Sequence, residues 1–445
     1  GWGLRGHIGG GPFGAMIPGA MVALTLSLLY RIPSGPASVL VVFGVIGIGL
    51  GGEMTYGQTL GFLRETETVW WGTLGTSLKG GIWGLLGGTV LSIGFIYHKL
   101  PKKGIIIAFL VMMAGMIIGF KSINEPMLLY FSDPANPRSE SWAALLLGAI
   151  ALLIFLRLKA DRTDYQLVCR FAIWGLVGGG LGFGLGGFWM VLGSNFPDVV
   201  FRSWWKAMEF TFGFLLGGAL GYAAWINREQ IRKNILKQTN TAFKPFPSFY
   251  IEAGLFLILA LLVHWLIPNS LEPFVEAASE SDGMVLVILR TLARIMVNYA
   301  FYGLLFVLFM IQFPRMAWQI GISLTFCHAG IDLVRDFFPG INTWTPLTWH
   351  FFWIFFMTSA VVILVAWFTR KPKMVPNLFL LLIWSSILIS FLRLTIDPEK
   401  LSIQGLTICQ IICRKFVVDL FFLISAIGLS FLIRKYFKKD GYEKQ

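Results

Sequence analysis

From residue 8 to residue 433 the chain keeps returning to one pattern, an apolar run followed by a short polar connection. Each run is about 20 residues long, the length an α-helix needs to cross roughly 30 Å of hydrocarbon. Stretches such as Phe351 to Phe368 and Leu378 to Leu392 are apolar all round. A transmembrane barrel would instead need ten-residue segments that alternate apolar and polar positions. In lipid every backbone N–H and C=O must be satisfied inside the protein, so the reading is an all-α, polytopic integral membrane protein. The 56% hydrophobic and 13% charged content agrees. Hydropathy divides the chain into about thirteen spans, beginning with 8–30 and 37–63 and ending with 346–369, 376–393 and 416–433.

The connections carry the charge, and they carry it unevenly. Taking thirteen alternating spans, one side of the membrane holds 22 of the 36 Lys and Arg against 6 of the 23 Asp and Glu, and the other side holds the remaining 14 against 17. The basic side includes Lys99/Lys102/Lys103, Arg228/Arg232/Lys233/Lys237 and Arg370/Lys371/Lys373. Because cytoplasmic connections accumulate Lys and Arg, the expected location is the plasma (inner) membrane, with Gly1 outside and the C-terminus in the cytoplasm. The net charge of +13 then faces anionic lipid at the cytoplasmic loops rather than nucleic acid.

Glycine adds a second constraint. Of 50 glycines, 41 precede residue 227, and the hexapeptide Gly47-x-Gly49-Leu50-Gly51-Gly52 recurs as Gly182-x-Gly184-Leu185-Gly186-Gly187. A shift of 135 residues superposes the two copies, and a shift of 134 superposes Trp70-Trp71 on Trp204-Trp205. Both copies run in the same direction through the membrane, which argues for a parallel internal repeat. The expected organisation is a first four-helix unit (1–121), a second (138–267), a C-terminal region of about five helices (284–434) and a basic tail (435–445). Small-xxx-small spacings at Gly47/Gly51, Gly57/Gly61, Gly80/Gly84/Gly88, Gly178/Gly182 and Gly217/Gly221 mark sites of close helix contact. The hexapeptides also satisfy the dinucleotide-binding pattern, but that motif works between a strand and a helix, and neither copy has a strand before it.

The two copies differ in chemistry. The first continues Glu53-Met54-Thr55-Tyr56-Gly57-Gln58, the second Phe188-Trp189-Met190-Val191-Leu192-Gly193. A carboxylate in a lipid-length segment is costly unless paired, protonated or wet, so Glu53 is a functional candidate, with Tyr56 and Gln58 beside it. Arg5, His7, Arg64, Lys79, Glu209, Arg290 and Arg294 fall at the same level and complete the candidate binding set for a substrate or ion. Glu65, Glu67, His328 with Asp332, Arg335, Asp336, His350 and Arg393 share this displacement toward one side.

Several chemistries are disfavoured. Five histidines include no His-Glu-x-x-His and no other metal-ligand spacing, so no metal site and no cofactor are expected. The four cysteines (Cys169, Cys327, Cys409 and Cys413) show no metal-ligand pattern, and Cys409 and Cys413, on one helical face in an apolar context, read as buried free thiols rather than a disulfide. No Gly-x-Ser-x-Gly elbow and no phosphate-binding Gly-x-x-x-x-Gly-Lys loop occurs. Three functions fit what remains: a transporter or permease for a small polar or anionic solute, a transferase acting at the outer leaflet on a lipid-linked or exported substrate, or a scaffold subunit with partners in a membrane complex.

Overall fold

A computed structural model of the protein describes residues 1–196, 203–238, 248–277, 283–337, 349–371, 373–396, 405, 407–412 and 416–437. Helices account for nearly all of them, and no strand occurs among the described residues. The order is α1 (Trp2–Ile8), α2 (Gly11–Gly14), α3 (Met16–Leu29), α4 (Ser34–Gly51), α5 (Gly57–Gly61), α6 (Val69–Ile96), α7 (Lys102–Gly119), α8 (Trp142–Lys159), α9 (Arg162–Asn195), α10 (Trp204–Ile226) and α11 (Arg228–Gln238). There follow α12 (Phe249–Leu261), α13 (Ile267–Glu276), α14 (Met284–Met296), α15 (Tyr299–Gln312), α16 (Met316–Trp318), α17 (Thr325–Phe337), α18 (Trp349–Phe368) and α19 (Met374–Ile396), and Val417–Tyr436 forms the last long helix.

Ten of these helical segments are long and apolar enough to cross a membrane among the described residues, or eleven if α14 and α15 count as one span. Sequence patterning gave about thirteen, and the difference has local causes. Residues 284–312 form two helices bent by 62° at Val297–Asn298. The 316–334 run becomes α16, a π-turn at Gln319–Leu324, and an α17 that carries His328, Asp332 and Arg335. In the run expected at 346–369, residues 346–348 lie outside the described residues and α18 covers Trp349–Phe368. Residues 37–63 still supply one span, Ser34–Gly51, after which the chain turns before α5.

Glycine contact builds the centre. α4 and α6 are almost wholly buried, and α9 runs antiparallel to α6 with the backbones touching. A Cβ on Gly84 would lie 1.8 Å from the Gly175 carbonyl oxygen, and one on Gly175 would lie 2.0 Å from that of Gly84. Gly80 and Gly179 repeat the relationship at 2.3 and 2.1 Å, and Gly19 of α3 meets Gly44 of α4 at 2.4 and 2.6 Å. Without a hydrophobic drive between helices in lipid, this approach gains dispersion and Cα–H···O contacts. Gly47/Gly51 and Gly178/Gly182 are also packed against neighbours, whereas Gly57, Gly61, Gly217 and Gly221 meet nothing within 4 Å. The spacing expected to mark helix contacts therefore marks open surface at those two pairs. On the outside, Ile150, Ile154 and Leu158 form an exposed i, i+4 row along α8, as a lipid-facing helix requires.

Polar contacts gather at the two ends of the helices. At the arginine-rich end Lys99 Nζ lies 3.0 Å from Asp161, and Asp164 accepts from Gln230 at 2.7 Å and Asn234 at 2.9 Å. The Asp164 backbone N–H, which Asp161 caps at 2.8 Å, and the Lys99 ammonium hold the Asp161 carboxyl well below the usual range. Glu252 of α12 accepts from Gln319 at 2.7 Å, with Arg370 3.8 Å away. At the opposite end lie the residues described next.

Candidate functional site

Helix α1 ends at Gly9–Gly10 and packs against α10, α19 and α3. Its Arg5 is only 4% exposed, yet no carboxylate lies within ion-pair distance of it among the described residues. The guanidinium donates through Nη1 to the Tyr56 hydroxyl and through Nη2 to the Gly11 carbonyl at 3.3 Å. Its Nε is buried without a hydrogen bond. Three rings frame the charge, with Trp2, Tyr56 and Trp83 centroids 5.6, 5.5 and 5.4 Å from Cζ, a favourable cation–π arrangement. Burial pushes the Tyr56 phenol up, and the Arg5 charge acts against that shift.

The neighbouring charges are already satisfied by each other. Glu209 is fully buried and accepts from Trp205 Nε1 at 2.9 Å and from Lys206 Nζ at 2.6 Å. His7 Nε2 lies 3.0 Å from Asp419, which also accepts from the Ser390 hydroxyl at 3.1 Å, and Arg393 donates to the His7 carbonyl. Beyond the α1–α2 break, Gly10 N–H donates to Asp332 at 2.8 Å, with Arg335 2.6 Å and His328 3.3 Å from the same carboxylate. His264, in a π-turn at Leu262–Leu266, stacks on His328 at 5.4 Å, and Phe13 packs against both.

A second centre forms where α14 bends into α15. Asn298 caps α15 by accepting from Ala300 N–H at 3.0 Å, and Glu53, just past the end of α4, reaches across to accept from Tyr299 N–H at 2.8 Å. A carboxylate at a helix N-terminus is stabilised by the unpaired N–H groups there. Tyr299 is held in turn, because its ring fills the space beside Gly49 and its hydroxyl donates to the Val45 carbonyl at 3.0 Å. Burial pushes the Glu53 carboxyl up to about 7, against the pull of the Tyr299 N–H. A cavity of about 300 Å³ opens beside it, lined among others by Arg294, Asn298, Ser139, Ser141 and Lys121.

Lys79 and Gln58 go to a different task. Lys79 and Glu140 are both about 1% exposed and meet at 2.7 Å; Lys79 Nζ also donates to the Thr55 carbonyl at 2.7 Å and to Thr59 at 2.8 Å. Glu140 accepts further bonds from Ser132 and from the Phe131 N–H. Gln58 donates to the Asn136 carbonyl at 2.9 Å and accepts from Asp133 N–H at 3.2 Å. Together these side chains clamp the 124–141 connection onto α5 and α6.

The ten candidates thus separate. Arg5, His7, Tyr56 and Glu209 meet at α1, Glu53 and Arg294 share the cavity at the α14–α15 bend, and Lys79 and Gln58 hold a loop. Arg64 is exposed, as are Glu65 and Glu67, and Arg290 lies over the Phe274 ring at 5.4 Å. The side chains of Asp336 and His350, and those of Cys409 and Cys413, lie outside the described residues; Cys169 and Cys327 are free thiols. Sequence reasoning passed over Lys206, Glu140 and Asp419. Asp419 was detectable as an acid at the start of a lipid-length apolar run, and Lys206 as the i, i+3 partner of Glu209; Glu140 sits in a polar connection where nothing local marks it. No three His, Cys, Asp or Glu side chains are placed to hold a metal ion among the described residues.

The fold and these sites define a polytopic helical membrane protein with buried ionisable centres. No known protein family, curated protein or solved structure matches the chain.

Proposed function

We propose that this chain is a membrane permease for a small anionic solute, bound near the helix ends opposite the arginine-rich connections. Arg5 carries the reading. A buried guanidinium without a carboxylate partner is expensive to keep in a helix bundle, and an anionic solute would supply the missing charge. Two backbone interruptions adjoin it, Gly9–Gly10 between α1 and α2 and Gly52–Tyr56 after α4, and a third, Val297–Asn298 between α14 and α15, adjoins the second. A Cβ on Gly52 would lie 2.5 Å from the Gly11 carbonyl oxygen, and Glu53 touches Tyr299, so the three interruptions are neighbours. Transporters commonly build their sites from such discontinuous helices, whose free backbone groups contact the solute and the coupling ion. Glu53 is the group assigned to coupling, since a carboxyl with a midpoint near neutrality can take up and release a proton during a cycle. The arginine-rich end is assigned to the cytoplasm of the inner membrane on its excess of Lys and Arg.

The test is uptake by proteoliposomes of labelled inorganic phosphate and of mono- and dicarboxylates, with and without an imposed proton gradient. Arg5→Gln is expected to abolish uptake of whichever anion is carried, and Glu53→Gln to remove its response to the gradient, with both variants still eluting as folded protein. Failure of the unmodified chain to move any of these anions, or full uptake by Arg5→Gln, would sink the proposal.

A further inference from the structure

The flank between α3 and α10 holds a groove of about 800 Å³, inside the usual volume range of small-molecule sites. Met21, Leu26 and Leu29 form one wall and Phe214, Gly217 and Gly221 the other. Neither glycine meets another group within 4 Å, and Phe214 is among the most exposed apolar side chains of the chain, so this face is open. Along both helices the lining covers 11 residue steps, from Pro18 to Leu29 and from Phe210 to Gly221. At about 1.5 Å per residue that is roughly 16 Å, close to half of the roughly 30 Å hydrocarbon core. The groove therefore has the depth of one leaflet, and it ends at Leu29, the last residue of α3, on the arginine-rich side.

Three arginines stand at that end. Arg31, two residues past Leu29, is exposed. Arg228 and Arg232 of α11 follow directly on α10, whose Gly221 lines the same end of the groove. Glu229, 3.7 Å from each of them, offsets one positive charge and leaves the cluster net cationic. Arg228 also covers the ring of the exposed Trp225 at 5.2 Å, the aromatic-and-basic combination of a membrane interface.

We infer that the α3–α10 groove is a binding site for an anionic phospholipid of the leaflet on the arginine-rich side, with one acyl chain in the groove and the headgroup phosphate against Arg31, Arg228 and Arg232. An apolar channel of single-leaflet depth fits a chain, and a cationic mouth selects the headgroup, since guanidinium groups bind phosphate oxygens with charge-assisted hydrogen bonds. A transmembrane helix from a partner would fill the groove without needing the arginines. The inference does not depend on what the permease carries.

The protein, purified in mild detergent, is titrated with phosphatidylglycerol and with phosphatidylcholine, and bound lipid is counted by native mass spectrometry. Phosphatidylglycerol is expected to be retained roughly tenfold better, given the attraction contributed by each surface arginine. Arg31→Gln/Arg228→Gln/Arg232→Gln, all at exposed or partly exposed sites, is expected to remove the preference while some lipid of either kind stays bound. Gly217→Leu/Gly221→Leu fills the groove from open positions and is expected to remove the tightest lipid altogether, and glycerol phosphate without a chain is expected not to compete. Equal retention of the two lipids by the unmodified chain overturns the inference. So does unchanged retention in the leucine variant, or a leucine variant that loses an oligomer while keeping its lipid.

Discussion

Glu209 occupies the place where a side chain on Gly6 would begin: its Oε1 lies 1.8 Å from the position a Cβ there would take. The residue at position 6 therefore decides whether α1 can lie against α10 with the Glu209–Lys206 pair intact. Arg5 and His7, on either side of Gly6, reach their partners only because α1 comes this close.

Gly6→Ala is expected to destabilise the fold by more than the roughly 1–3 kcal/mol of ordinary overpacking, because relieving the clash must also displace a fully buried carboxylate. Thermal unfolding in detergent measures this. Gly254→Ala, at a helical position with open space around it, serves as the control and should leave the midpoint unchanged or slightly raised.

Lys79 and Glu140 form a buried pair whose members satisfy each other, so removing one partner strands the other. Lys79→Met alone is expected to cost about 3–5 kcal/mol, as is Glu140→Met, while the double variant loses clearly less than their sum. Additive losses in this double-mutant cycle would mean that the pair is not coupled.

With its carboxyl raised to about 7, Glu53 is protonated in the folded protein at pH values where the unfolded chain has already lost that proton. The contribution to stability is full below the ordinary carboxylate range and is lost as pH rises toward 7. The unfolding midpoint of the unmodified chain should fall between pH 5 and pH 8 relative to that of Glu53→Gln, which cannot titrate there. Parallel pH profiles for the two proteins would contradict this.

At the arginine-rich end one Asp164 oxygen accepts from both Gln230 and Asn234, and the other faces Lys99, so this side chain fastens α11 to α9 and to the end of α6. Asp164→Asn replaces an acceptor with a donor and is expected to weaken that attachment by about 1–3 kcal/mol. Hydrogen exchange should rise in α11 while the helices around Gly84 and Gly175 stay protected.

Much of the fold was legible because lipid imposes simple rules. Apolar runs of bilayer length predict helices, and the helices are where those runs lie. The Gly80/Gly84/Gly88 spacing predicts close packing, and α6 meets α9 there. The same spacing at Gly217/Gly221 faces open surface, because spacing records that a backbone could be approached and not whether a neighbour is present. The breaks after Gly51 and at Val297–Asn298 were missed for a related reason: hydropathy averages over a window and does not register a turn inside an apolar segment.

The candidate site divides the same way. Sequence alone showed ionisable residues displaced toward one side of the apolar runs, and it named Arg5, Tyr56, Glu53, Glu209 and Arg294, since a charge in an apolar run stands out without any coordinates. Only the tertiary structure decided which of them belong together. Arg5 and Tyr56 are 51 residues apart and Glu53 and Tyr299 are 246 apart. Whether Lys79 is a free cation or a satisfied one depends on Glu140, delivered from a polar loop with no local signal. A charge's meaning in a membrane protein is set by its partner, and partners across such distances are chosen by helix packing rather than by anything within reach along the chain.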